Sequence, residues 1–116
     1  MPSDRDAAAL LAIRENVLLA EGFTLGLDEA AFCQDRKTLY AVTRCLEIIS
    51  EASRRLSVDV KARHAGIPWN QIAGAGNIYR HNYDNVVAPF VWTTVKHSLP
   101  DLRSAVDAEL ETKPSS

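Results

Sequence analysis

Apolar residues recur at intervals of three and four positions along nearly the whole chain, and this period constrains the fold more than any other feature of the sequence. The longest run lies between about Asp28 and Leu56, and no segment shows the two-residue alternation of a half-buried strand. An apolar seam of this length requires helical partners. The sequence therefore predicts an all-α protein built as an antiparallel bundle of four to five helices. The seam consists of Leu39, Val42, Leu46, Ile49, Ser53 and Leu56.

The length limits the chain to one domain, because 116 residues with 47% hydrophobic content can build one modest core. We expect residues 1–111 to form this domain and residues 112–116 to fray. No apolar run is long enough for a membrane span, and no secretory signal precedes the domain, which favours a cytoplasmic protein without a membrane partner. Cys33 and Cys45 lack metal-ligand spacing, so we predict two small core residues, no metal and no cofactor.

Capping residues and helix breakers predict where the helices begin and end. The first helix is expected to start after Ser3 or Asp4 and to stop at Gly22. Its buried stripe should be Leu10, Ile13, Val17 and Ala20, widened by Leu11 and Leu18. Pro100 should kink the last helix. The expected helical ranges are about 6–21, 28–56, 58–64, from Pro68 to about 82, and 89–110.

Positive charge is concentrated between Ala52 and Tyr83, where Asp59 is the single acid. Such a run is usually a solvated surface that acidic neighbours balance. It also suits an anion-facing surface that binds a phosphate backbone. The basic residues are Arg54, Arg55, Lys61, Arg63 and Arg80.

Asn77 and His81 are four residues apart, so on a helix an amide could orient an imidazole by hydrogen bonding. An oriented histidine can act as general base or acid toward an RNA 2′-hydroxyl. Arg80 adds a cation, and Tyr79 and Tyr83 add two phenolic hydroxyls within one turn. A single histidine on a helix is more often structural than catalytic, and the spacing alone favours that interpretation. Arg80, His81 and Tyr83 can converge only if the helix ends near residue 82 or a second subunit completes the site.

Gly74 and Gly76 lie inside the same predicted helix, where each costs about 1 kcal/mol relative to alanine. Two such costs require a reason, and the close approach of another backbone or of a ligand would supply one.

Several spaced motifs, in matching order, resemble the HepT-like branch of the HEPN superfamily, and the resemblance covers nearly the whole chain. The motifs are residues 35–52 (DRKTLYAVTRCLEIISEA), 67–69 (IPW), 72–83 (IAGAGNIYRHNY) and 99–102 (LPDL). The resemblance implies a HEPN-like bundle and a metal-independent ribonuclease toxin that cleaves RNA as a homodimer. It also implies a toxin–antitoxin pair, in which a minimal nucleotidyltransferase antitoxin silences the toxin by AMPylation of the motif tyrosine.

The family motif is an arginine followed by a polar residue, then a histidine and, two residues later, a tyrosine. Asn77 matches the polar residue, His81 the histidine and Tyr83 the modified tyrosine, whereas Gly76 occupies the arginine position. A guanidinium at that position would stabilise the extra charge of the transition state. Arg80 could replace it from beside His81. Arg54 or Arg55 could replace it from across the bundle, and with Gly76 and Tyr79 they form the predicted RNA-binding surface.

The glycine leaves alternatives to a ribonuclease open. One is a catalytically weakened module that binds nucleotides or RNA and is the partner of a nucleotidyltransferase, and another is a purely structural interaction domain. Outside the motif we expect structural roles. Arg44 and Glu51 should form an internal polar pair or an interface contact, His64 and His97 should lie on the surface, and Trp69 and Trp92 should anchor the core or a dimer.

Overall fold

The computed structural model describes the backbone of residues 3–81 and 84–111, and the side chains of residues 3–76 and 88–111. Within these ranges every regular element is helical, which confirms the all-α prediction. The elements are α1 (Asp4–Thr24), α2 (Glu29–Gln34), α3 (Arg36–Arg54), α4 (Val58–Arg63), α5 (Trp69–His81), α6 (Asp84–Thr93), a π-helical turn (Thr94–Ser98) and α7 (Leu99–Leu110).

The long helices pack antiparallel, as the sequence predicts. On α1 and α7, Arg14 lies 3.9 Å from Asp107, and Arg103 donates to Glu21 at 3.0 Å, so one helix ascends while the other descends. Helices α3 and α5 are also antiparallel, since Ser50 bonds to Gly76 and Arg54, four residues later on α3, bonds to Ala73, three residues earlier on α5. The helix α3 lies in the middle of the molecule, since both α1 and α5 pack against it.

The core is formed by the two apolar stripes that the helical period predicts. Ile13 and Val17 of α1 and Val42 of α3 are fully enclosed. Phe32 of α2 is also enclosed and lies against the ring of Trp92, with centroids 5.4 Å apart. Both tryptophans are therefore part of the core or its edge. The buried Trp69 donates its indole N–H to the backbone carbonyls of Lys61 in α4 and of His64 directly after it.

Helix α1 differs from the prediction at its end and on its surface. Ser3 caps it as expected, because its hydroxyl accepts the backbone N–H of Asp6 at 3.1 Å. The helix does not stop at Gly22 but continues to Thr24, and the chain turns at Gly26, whose φ is 81°. The predicted widening of the stripe is wrong. Leu11 and Leu18 are 48% and 44% exposed, because they lie on the side of α1 that faces away from the core.

The predicted helix over residues 28–56 is divided at Asp35. The Asp35 carboxylate accepts the backbone N–H of Thr38 at 3.1 Å and its hydroxyl at 2.7 Å, which is the geometry of a helix N-cap. These local hydrogen bonds end α2 and start α3, and they hold the pKa of Asp35 below its usual value.

The last predicted helix begins earlier than Pro89, at Asp84, and its register shifts before Pro100. The N–H of Leu99 bonds to the carbonyl of Thr94, five residues back, and closes the π-helical turn. Pro100 follows as the second residue of α7, where its missing N–H is tolerated. The helical register is therefore interrupted where the sequence predicts a kink.

Candidate functional site

Helix α5 carries the predicted catalytic positions. Its backbone is helical through Asn77, Arg80 and His81, where this described part of the chain stops, so whether the helix ends near residue 82 lies outside the described residues. The side chains of residues 77–81 lie outside the described residues, as do Asn82 and Tyr83 entirely, so the predicted side-chain roles of Asn77, Tyr79, Arg80, His81 and Tyr83 remain predictions.

Gly76 of α5 contacts Ser50 of α3. A Cβ atom at this position would be 3.1 Å from the Ser50 hydroxyl oxygen, which is tighter than ordinary van der Waals contact. The same oxygen lies 3.3 Å from the Gly76 backbone nitrogen and accepts its N–H. The expected close approach at Gly76 is therefore made by another helix. Gly74 has no such neighbour, because its Cβ would meet nothing within 4 Å.

Arg54 reaches from α3 onto the same part of α5. Its Nε and Nη2 donate to the carbonyl of Ala73 at 3.0 and 2.6 Å, and the Ser50 hydroxyl donates to that carbonyl at 2.8 Å. The guanidinium is thus fixed one turn before Gly76 and remains partly exposed. Along the axis it lies roughly 12 Å from His81, given 1.5 Å per residue. If an RNA phosphate is bound at His81, this separation suits contact of Arg54 with a flanking phosphate better than contact with that one.

The carboxylate of Glu51 lies between the two exposed arginines at the end of α3. It is 3.5 Å from Arg54 and 4.0 Å from Arg55. The predicted internal pair of Glu51 with Arg44 is therefore wrong, because both residues point outward from α3. Exposed ion pairs of this kind are weak, so the guanidinium of Arg55 stays available to an anion, and that of Arg54 remains 41% exposed although it also donates to the Ala73 carbonyl.

Arg63 and His64 form a polar cluster on the buried carboxylate of Glu109, which sequence reasoning missed. Arg63 donates to both carboxylate oxygens at 3.1 and 2.7 Å, and His64 Nε2 lies 2.8 Å from one of them. The Arg63 hydrogen bonds lower the pKa of Glu109 to about 2. His64 is thus not a surface residue, and Arg63 is already paired within the predicted anion-facing surface.

A cavity of about 250 Å³ lies beside α5, between α3 and the last helices. Ile72 and Ala75 of α5 form one wall, Leu46 forms another, and Phe90 lies at its opening. His97 is exposed at the rim, as predicted. The recess is mostly apolar and is smaller than the ~300–1,000 Å³ of ordinary ligand pockets. It offers room for one small ring next to the motif helix.

Among the side chains of residues 3–76 and 88–111, no three His, Cys, Asp or Glu residues are grouped closely enough to bind a metal ion. None of the helices described in these ranges combines the length and apolarity needed to cross a membrane.

Comparison with known proteins gives consistent matches. The family model described as "Ribonuclease HepT-like" matches residues 13–109. The chain is 40% identical over 91 residues to "Probable ribonuclease HepT" of Thermococcus cleftensis, which covers 78% of this chain and 83% of that protein. It is 34% identical over 106 residues to "Putative RNase MJ1380" of Methanocaldococcus jannaschii, covering 90% and 97% of the two chains. No solved structure matches the chain significantly.

Proposed function

The chain belongs to the HepT-like ribonuclease family, and on that premise we propose that it is a metal-independent endoribonuclease, the toxin of a toxin–antitoxin pair. The observation that carries the proposal is the family match over residues 13–109, which includes the whole of α5. The continuous helix through His81 supports it, because it keeps Asn77 and His81 one turn apart.

The reaction needs only proton transfer and stabilisation of charge. The imidazole of His81 takes the proton of a ribose 2′-hydroxyl, and the 2′-oxygen attacks the adjacent phosphorus. The bond from phosphorus to the 5′-oxygen breaks, and the leaving oxygen receives a proton from a second imidazole. The products are a 2′,3′-cyclic phosphate and a free 5′-hydroxyl. A homodimer that brings two copies of α5 together would supply both imidazoles.

Arginines must stabilise the transition state in place of a residue-76 guanidinium. Arg80 is the candidate for the reacting phosphate, because it is next to His81 in sequence. Arg54 and Arg55 are the candidates for flanking phosphates, because their guanidinium groups are exposed beside α5.

The decisive experiment compares His81→Ala with His97→Ala on single-stranded RNA in the presence of EDTA. His97 is the matched control, since it is an exposed histidine on the π-helical turn. We expect the parent protein and the His97→Ala variant to produce 2′,3′-cyclic phosphate ends, and the His81→Ala variant to lose at least 100-fold in rate. Equal rates in the two variants would remove His81 from the mechanism.

We propose that a nucleotidyltransferase antitoxin neutralises the protein by AMPylating Tyr83. The tyrosine oxygen would attack the α-phosphorus of ATP, pyrophosphate would leave, and the phenolic proton would be released to solvent. Incubation with the antitoxin and ATP should then add the mass of one or more AMP groups. Tyr83→Phe should abolish the addition, and Tyr40→Phe, which alters an exposed tyrosine on α3, should not. A mass gain that survives Tyr83→Phe would exclude this site.

A second candidate function is a module that binds RNA or a nucleotide without cleaving it, in partnership with the nucleotidyltransferase. The contact between Gly76 and Ser50 favours it, because α3 occupies the space from which an arginine side chain would begin. Purified protein that binds RNA, leaves it intact and gains cleavage when an arginine is introduced at residue 76 would support this candidate over the first.

A further inference from the structure

The carbonyl of Ala73, inside α5, accepts hydrogen bonds from two side chains of α3. Arg54 donates to it through Nε at 3.0 Å and through Nη2 at 2.6 Å, and the Ser50 hydroxyl donates at 2.8 Å. In an α-helix the same carbonyl also pairs with the N–H four positions later, which here belongs to residue 77. These side chains therefore connect α3 to the turn of α5 that leads into the predicted motif.

Arg54 uses only one edge of its guanidinium group for this contact. Nε and one N–H of Nη2 face Ala73, which leaves Nη1 and the second N–H of Nη2 to other acceptors. Nη1 lies 3.5 Å from the exposed carboxylate of Glu51. A phosphate offers two oxygens to such an edge and can replace Glu51 there, because an exposed ion pair is weak. One side chain can thus bind α5 and a phosphate at the same time.

Arg55 is the natural comparison, because it follows Arg54 directly and carries the same charge. Its Nη1 lies 4.0 Å from Glu51, and its side chain is 45% exposed. Among the side chains that the structure describes, it makes no hydrogen bond to α5 of the kind that Arg54 makes. The two arginines therefore distinguish binding of a phosphate from attachment to the motif helix.

We propose that Arg54 is a positioning residue, which sets where RNA lies relative to His81 by holding a flanking phosphate and the Ala73 carbonyl together. This inference rests on the proposed ribonuclease function and names the side chain that aligns its substrate. Ala73 and His81 belong to one continuous helix, so their separation of roughly 12 Å along the axis is fixed. A phosphate bound to Arg54 is then held at a set distance from the linkage to be cleaved.

A positioning role has a kinetic signature that simple electrostatic attraction lacks. When a part of the substrate that does not react is used to orient the part that does, its loss lowers kcat and does not only raise KM. An arginine that merely attracts RNA raises the concentration of the complex, and its loss appears in KM. We therefore expect the two neighbouring arginines to differ in which constant they change.

The kinetic test uses oligonucleotides with a single ribonucleotide, so that only one linkage can be cleaved. Each flanking linkage in turn is made neutral as a methylphosphonate. In the parent protein one of these neutral linkages should lower kcat by about tenfold or more. Arg54→Gln should lower kcat as far on the unmodified substrate and show no further loss with the neutral linkage. Arg55→Gln, the matched control, should raise KM and keep the full response of kcat.

Arg54→Lys separates charge from geometry. A lysine keeps the positive charge, but its ammonium group lacks the two edges of a planar guanidinium. We expect KM to return toward the parent value and kcat to stay as low as in Arg54→Gln. Full recovery of kcat with lysine, or the same loss of the kcat response in Arg55→Gln as in Arg54→Gln, would overturn the positioning role.

Hydrogen exchange tests the attachment to α5 without any cleavage. A 2′-O-methyl oligonucleotide has no free 2′-hydroxyl, so it can bind but cannot react. At saturation it should slow exchange of the α5 backbone amides in the parent and in Arg55→Gln, and leave them unchanged in Arg54→Gln. Unchanged exchange in the parent would overturn the proposal. If the parent shows this protection but cleaves no RNA, the ribonuclease function fails while Arg54 still couples phosphate binding to α5.

Discussion

The Ser50 hydroxyl oxygen lies 3.1 Å from the position that a Cβ atom would take at Gly76. This contact explains a glycine on the motif helix through the packing of α3 against α5. It also means that a side chain at residue 76, the position that the resemblance assigns to the motif arginine, has a structural cost in this chain. Gly74, two residues earlier and exposed to open space, provides the internal control for every substitution at Gly76.

Alanine at the two glycines should have different effects on stability. Gly74→Ala should raise the free energy of unfolding by about 1 kcal/mol, because alanine restricts the unfolded chain and meets no neighbour. Gly76→Ala should gain less or lose stability, because its methyl group must displace the Ser50 hydroxyl. Urea unfolding of both variants measures the difference. If both substitutions raise the free energy of unfolding equally, the Ser50 hydroxyl moves away from the new methyl group without any loss of stability.

Arginine at position 76 should increase RNA cleavage once Ser50 is reduced in size. Ser50→Ala removes the oxygen closest to the new side chain, while Arg54 continues to donate to the carbonyl that Ser50 shared. If residue 76 is the position of the motif arginine, a guanidinium there should raise the cleavage rate by on the order of 10²-fold. The assay compares Ser50→Ala alone with Ser50→Ala combined with Gly76→Arg.

Gly74→Arg in the Ser50→Ala background controls for the added charge. It places the same side chain on the same helix, but not at the motif position, and no Cβ contact opposes it. We expect it to raise RNA affinity without raising the cleavage rate. If both arginine variants cleave equally faster, the increase comes from charge alone and not from the motif position.

Glu109 should stabilise the fold through its charge. Its pKa lies at about 2 instead of 4.5, chiefly because Arg63 donates to both oxygens. A shift of this size corresponds to about 3 kcal/mol of stabilisation. Because the folded-state pKa is lowered, the contribution is complete above the unfolded value near 4.5 and is lost as the pH falls toward 2. Glu109→Gln should therefore lower stability at pH 7 and flatten its decline between pH 4.5 and 2.

Glu111→Gln is the control for this experiment, since it removes an exposed carboxylate two residues later. Thermal unfolding measured from pH 7 down to pH 2 should separate the melting temperatures of the two variants by several degrees at pH 7 and bring them together near pH 2. If the melting temperatures of the two variants depend on pH in the same way, the charge of Glu109 does not account for the pH-dependent part of the stability.

The helical period predicts much of the core of this protein, because apolar residues that recur every three or four positions lie on one side of a helix and become buried together. Leu10, Ile13 and Val17 repeat along one side of α1, and the structure encloses all three. The sequence does not predict the division at Asp35, because the side chain of an aspartate can either point outward from a continuous helix or accept the backbone N–H that starts a new one. The local sequence does not distinguish these two conformations. The prediction for Leu11 is wrong because the helical period identifies the apolar sides of α1 but does not show which of these sides packs against the bundle.

The contacts that shape the candidate site join residues far apart in the chain. Ser50 meets Gly76 across 26 positions, and His64 meets Glu109 across 45. No local pattern marks such partners. The sequence shows that Gly76 is unfavourable inside a helix, but only the packing of the structure shows that Ser50 of a neighbouring helix accounts for it. The motif positions through His81 were placed on a helix correctly, because that depends only on local sequence.

Arg54 and Arg55 should each contribute to the salt dependence of RNA binding, whereas Arg63 should not. Arg54 and Arg55 are exposed and pair weakly with Glu51, and Arg54 also donates to the neutral Ala73 carbonyl, whereas the guanidinium of Arg63 is held by both oxygens of the Glu109 carboxylate. A contact to one phosphate of a single strand releases counterions and contributes about 0.7 to the slope of log K against log salt. In the His81→Ala background, which keeps the RNA intact, Arg54→Gln and Arg55→Gln should each reduce that slope by this amount. Fluorescence anisotropy at several salt concentrations measures it, and an equal reduction with Arg63→Gln would mean that phosphate binding follows net charge instead of these two exposed side chains.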